Sequence, residues 1–132
     1  MSRTLIVEDN NNFRQTLANL IHTHCPEMVL EEAKDGKEAL QKFRSSRPDI
    51  IFMDVKLPGE NGLEITKKMR AFDSDVNIII LTNHDLPEYR EAARKYGANY
   101  FLSKNSSSAE DILSMIKSII DALPKTDGWS KR

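Results

Sequence analysis

Ile50-Ile51-Phe52-Met53-Asp54-Val55-Lys56-Leu57-Pro58-Gly59 sets a short apolar run against a carboxylate and then a Pro-Gly turn. An apolar run of this length, bounded by turn residues, reads as a buried strand, so Asp54 stands where that strand surfaces. A second run, Leu5-Ile6-Val7, ends the same way in Glu8-Asp9. Two strands thus bring acid to one edge of a sheet. Clustered carboxylates repel one another and raise one another's pKa unless a cation neutralises them, which makes the arrangement costly as mere structure. The economical reading is a site for a hard metal and a phosphoryl group.

Outward from these two runs, short apolar stretches alternate with segments of helical period, the pattern of a parallel sheet covered on both faces. Strands are expected at Thr4 to Val7, Val29 to Ala33, Ile50 to Met53, Val76 to Leu81 and Tyr100 to Leu102. The second carries Glu31 and Glu32 and belongs at a sheet edge. Between the strands, Phe13, Leu17, Leu20 and Ile21 form an amphipathic stripe. Ala39, Leu40 and Phe43 form another, opened by a capping-box pattern at Asp35 and Glu38. Ile65, Met69 and Phe72 mark a third helix. A fourth starts near Asp85-Leu86-Pro87-Glu88, again with an acceptor followed by Glu, and stops at Gly97. Ile112, Met115, Ile116, Ile119, Ile120 and Leu123 make the strongest stripe. Asn10-Asn11-Asn12 and Ser106-Ser107-Ser108 fall where helices begin and read as caps.

The expected architecture is α/β: a doubly wound five-stranded parallel sheet, (βα)5 and flavodoxin-like. One domain is expected over residues 1–123, with 124–132 as a linker stub or flexible tail. Nineteen basic and twenty acidic residues give a net charge of −1, which argues against a broad nucleic-acid surface. The one cysteine, Cys25, cannot form an internal disulfide, and no apolar stretch approaches the roughly 20 residues of a membrane helix. A cytoplasmic protein without membrane contact is expected. His22 and His24, two apart on a helix, point different ways and read as surface residues.

Doubly wound folds bind ligands beyond the carboxyl ends of their strands. Glu8 and Asp9 follow strand one, Asp54 strand three, Thr82 strand four, and Ser103-Lys104 strand five, so all share one rim. If strands one and three are neighbours, their ends lie about 5 Å apart, close enough for one ion to bridge Asp9 and Asp54.

At this point the chain resembles the receiver domain of two-component response regulators, the CheY-like family, over nearly all of residues 4 to 123. The residues that carry the resemblance are Glu8-Asp9, Asp54 with Pro58-Gly59 beyond it, Thr82, and Lys104 following Phe101. The resemblance implies strand order 2-1-3-4-5. It implies that Asp54 is a phosphoacceptor served by a sensor histidine kinase. It also implies that Glu8, Asp9, Asp54 and the Lys56 backbone carbonyl hold Mg²⁺, and that Lys104 and Thr82 meet the phosphoryl oxygens. Phe101 would turn inward as Thr82 moves, reshaping the face of helix four, strand five and helix five. The domain would assist its own phosphotransfer and dephosphorylation without being an enzyme in the ordinary sense.

Several positions depart from the family pattern. Glu8 stands where Asp is commoner. Asn83 follows Thr82 where a small residue is usual; with Lys56 and His84 it borders the rim as a position that would modulate rates. Asn105 replaces a frequent cis-proline, and Phe101 lacks the tyrosine hydroxyl. The stretch Gly97 to Asn105 most resembles receivers joined to LuxR-type helix-turn-helix domains. This implies transcriptional output, with DNA reached only through a C-terminal domain absent from this chain, and it fits a phosphorylation-promoted homodimer. The alternative is a phosphorylation-independent interaction module of the same fold. A haloacid-dehalogenase-type phosphatase needs a second Asp where Lys56 stands, and an FMN carrier would be repelled by Glu8-Asp9.

Overall fold

The computed structural model describes residues 2–123, and in it every apolar run is a strand and every periodic segment a helix. The order is β1 (Arg3–Val7), α1 (Asn11–His24), β2 (Val29–Ala33), α2 (Gly36–Ser46), β3 (Ile50–Met53), α3 (Gly62–Phe72), β4 (Asn77–Thr82), α4 (Pro87–Lys95), β5 (Tyr100–Ser103) and α5 (Ala109–Ala122). Residues 124–132, read above as a linker stub or tail, lie outside the described residues.

The strands pair in parallel in the order β2-β1-β3-β4-β5. The Glu-bearing β2 is an edge, as its composition requires, and most of it is only half-buried. Because side chains alternate along a strand, each central strand feeds two cores. Leu5, Val7, Ile51, Met53, Ile78 and Ile80 face Ala39, Phe43, Ile65 and Met69 of α2 and α3. Ile6, Ile50, Phe52, Ile79 and Leu81 face Leu17 and Ile21 of α1 and Ile112, Ile116 and Ile119 of α5. β4 begins and ends one residue later than its apolar run suggests. The shift takes Thr82 into the ladder opposite Ser103.

Asn10, Asp35 and Ser108 cap α1, α2 and α5, accepting from the amides of Phe13, Glu38 and Asp111. Only Ser108 and Asp111 complete a reciprocal box; the Glu38 carboxylate takes the Lys34 amide instead of that of Asp35. At α4 the expected cap fails. Leu86 holds the N-cap position with no side-chain bond, and Asp85 turns outward to the Arg90 guanidinium. Proline in the first turn lowers the need for a cap, because it has no amide to satisfy. Gly97 does end the α4 segment, at φ 103°.

Phe72 is the other exception. It lies at the last position of α3 and is 67% exposed, packing edge-on to Phe43 with Arg44 over its ring. Its ring, at the end of the helix, stays outside the core that Ile65 and Met69 enter. Phe52→Ala, which hollows a residue 1% exposed, should therefore cost about 3–5 kcal/mol. Phe72→Ala should cost about 1 kcal/mol or less. Urea denaturation of both variants checks the contrast.

Candidate functional site

The register of the central strands builds the site. Val7 lies beside Met53, so the residues that follow emerge together. The Asp54 amide donates to the Val7 carbonyl at 3.1 Å, and the Glu8 amide donates to that of Ala33 at 2.9 Å. These bonds carry the ladder one residue past the strands. Glu8 and Asp54 are consequently buried, at 3% and 7% exposure, while Asp9 is exposed. Carboxylate oxygens of all three lie within 4.8 Å of one another.

Lys104 enters from the end of β5. Its backbone amide donates to the Thr82 carbonyl at 2.9 Å, and its ammonium donates to Glu8 Oε1 at 2.5 Å and Asp54 Oδ2 at 3.2 Å. The expected pairing with Asp54 is present, but Glu8 is the nearer partner. The second Asp54 oxygen accepts from the Val55 amide at 2.7 Å, and the second Glu8 oxygen accepts from the Asn10 amide at 3.0 Å. Burial pushes the Glu8 pKa up; the bonds from Lys104 and Asn10 oppose the shift, and the Asp54 charge adds to it. The donor set is all oxygen, three carboxylates against one ammonium. That is the chemistry of a hard divalent cation.

A family model described as the response regulator receiver domain matches residues 4–117. The chain belongs to the response regulator receiver family. Among its relatives, the uncharacterized transcriptional regulatory protein YesN of Bacillus subtilis is 31% identical over 133 residues, covering 100% of this chain and 36% of that protein. The response regulator MprA of Mycolicibacterium vanbaalenii is 31% identical over 126 residues, covering 96% and 53%. The receiver thus spans only part of the length of these relatives. A LuxR-family two-component response regulator from Aurantimonas superposes with a TM-score of 0.83 at 31% identity, covering 92% of this chain and 86% of that one. A LuxR-family DNA-binding response regulator from Staphylococcus aureus gives 0.83 at 25%, covering 90% and 98%.

Of the other expected residues of this receiver, Thr82 ends β4 with Asn83 and His84 after it, Lys56 follows β3, and Phe101 lies inside β5 opposite Ile80. Thr82 is fully buried, and its hydroxyl accepts from the His84 amide at 3.2 Å. Phe101 is half-buried, with the Arg90 guanidinium 4.7 Å from its ring centroid. Asn83 and His84 are exposed, and His84 meets Tyr89 edge-on. The Lys56 side chain is exposed, with its ammonium over the Tyr89 ring.

Three supporting residues escape a reading of the sequence. Arg14 looks like a solvated helix position, yet it donates to the Glu8 carbonyl at 2.7 Å and to Glu32 at 3.0 Å, fixing the start of the β1–α1 loop to the edge strand. Phe13 looks like a plain member of the α1 stripe, yet its ring faces Lys104. Gly62 opens α3 against the site: a Cβ there would lie 1.8 Å from the Asp54 carbonyl oxygen. Only the Asn61 cap beside it gives a local signal.

Gly62→Ala must push the Asp54 backbone aside, and it should destabilise by about 1–3 kcal/mol or more, as overpacking does. Urea melts together with amide shifts at Asp54 and Val55 check this. A carboxyl whose pKa is raised on folding stabilises fully below its unfolded value and loses that contribution as pH rises through its folded one. In metal-free buffer the wild type should therefore lose stability relative to Glu8→Gln as pH climbs from 4.5, the ordinary glutamate value. A difference moving the other way in paired melts would contradict the burial argument.

Proposed function

We propose that this chain is the phosphoacceptor domain of a response regulator, with Asp54 taking a phosphoryl group from a sensor histidine kinase. The observation that supports it most is the convergence of Glu8, Asp9 and Asp54 on one point, with Lys104 bonded to two of them. An Asp54 oxygen attacks phosphorus, the bond from phosphorus to the kinase imidazole breaks, and the product is an aspartyl phosphate. Glu8, Asp9, Asp54 and the Lys56 carbonyl would hold Mg²⁺, and their oxygen chemistry fits it. Bound there, Mg²⁺ would neutralise charge on the transferring oxygens. Lys104 supplies the protein's own positive charge to the same oxygens, and the Thr82 hydroxyl supplies a hydrogen bond.

The signal follows from the added charge. A phosphoryl group brings Asp54 to roughly two negative charges, which draws Thr82 inward and opens space for Phe101. The surface of α4, β5 and α5 then changes for a partner, including a second copy of the chain. Residues 1–123 form the receiver and 124–132 the start of a linker to a DNA-binding domain, an output supported by the names of the transcriptional relatives. No helix among the described residues is long and apolar enough to cross a membrane, and the reading places the protein in the cytoplasm with its kinase's catalytic domain.

With Mg²⁺ and a small-molecule phosphodonor, the intact protein should gain the mass of one phosphoryl group, and Asp54→Asn should not. Chelation of divalent ions should suppress the gain. A wild type that never gains the mass would mark this chain as a phosphorylation-independent interaction module instead.

A further inference from the structure

Lys104 has a third partner besides the carboxylates. Its ammonium lies 4.2 Å from the centroid of the Phe13 ring, well inside the roughly 6 Å reach of a cation–π contact. The Lys104 side chain is only 9% exposed, and such contacts strengthen when the cation is desolvated. Phe13 also borders, with Glu8 and Asp54, a crevice with no room for a water molecule.

The contacts close a circuit. Glu8 Oε2 accepts from the Asn10 amide, Asn10 Oδ1 accepts from the Phe13 amide, the Phe13 ring faces the Lys104 ammonium, and that ammonium donates to Glu8 Oε1. The cap of α1 therefore fixes the Phe13 backbone relative to the very carboxylate that holds the lysine. The ring also packs against the core that α1 shares with the sheet, so one side chain meets both that core and the lysine.

We infer that Phe13 is a positioning residue that seats Lys104 at the rim while the carboxylates are otherwise engaged. The inference rests on the reading of Asp54 as phosphoacceptor. In that chemistry Asp54 becomes an acyl phosphate, and Glu8 faces a second cation, so both anionic partners of Lys104 are drawn elsewhere. The ring has no lone pair to give a metal and no charge to lose. It stays a partner throughout, and it keeps the ammonium from leaving for solvent before the phosphoryl oxygens arrive.

The test compares wild type, Phe13→Leu and Phe13→Tyr in the full chain. Leucine keeps the apolar bulk without the ring; tyrosine keeps the ring. Proton and carbon NMR of the Lys104 ε-methylene should show an upfield ring-current shift in wild type and Phe13→Tyr that vanishes in Phe13→Leu. With Mg²⁺ and a small phosphodonor, Phe13→Leu should be phosphorylated about five- to thirty-fold more slowly, and Phe13→Tyr should restore the rate. In a Lys104→Met background, Phe13→Leu should slow the reaction no further. Absence of the methylene shift, an unchanged rate in Phe13→Leu, or an equal slowing without Lys104 would each overturn the inference. A wild type that takes no phosphoryl group sinks the phosphoacceptor reading alone. The methylene shift then still decides whether the ring seats the lysine.

Discussion

One ammonium, that of Lys104, holds together the end of the sheet where Glu8, Asp9 and Asp54 meet. Two of those carboxylates are buried, and removing one partner from a buried ion pair costs about 3–5 kcal/mol. The count is nevertheless uneven, three acids to one base, and the Glu8 pKa is raised, chiefly by burial and further by the Asp54 charge. A cluster of this kind is costly as mere structure, and its all-oxygen donors are those a hard divalent cation takes.

The rest of the architecture holds that cluster in register. β1 and β3 lie side by side at the centre of the sheet, packed on both faces, so the acid-bearing ends cannot slip without turning apolar side chains to the wrong face. Arg14 ties the β1–α1 loop to the edge strand. Gly62 lets α3 start against the Asp54 carbonyl, and the Lys104 amide extends the β4–β5 ladder to the rim. Asp54 and Glu8 are thereby held from several elements at once.

The opposite quality appears at α4. Its N-terminus has no side-chain cap, and its first turns expose Leu86 and Pro87. Arg90 covers Phe101 while paired with Asp85, which lies in the loop that follows Thr82. The hydrogen bonds between them, and then the opposite charges, favour the ionised form of each, lowering the aspartate pKa and raising that of the arginine. Exposed ion pairs of this kind hold weakly. The acidic end is thus bonded from several elements, while the start of the neighbouring helix is held by exposed contacts.

Sequence alone determined the kind and order of the elements, the edge position of β2, the caps at Asn10, Asp35 and Ser108, and the strand ends that carry Glu8, Asp9, Asp54, Thr82 and Lys104. These follow from local periodicity and turn chemistry, which neighbouring residues encode. Tertiary structure decided that Phe72 stays outside, that Asp85 pairs with Arg90 instead of capping, that Lys104 sits nearer Glu8 than Asp54, and that Phe13 and Gly62 belong to the site. Those outcomes depend on distances between segments far apart in the chain, 96 residues for Lys104 and Glu8. Such distances are fixed only when crossover helices pack and set which side chains reach one another.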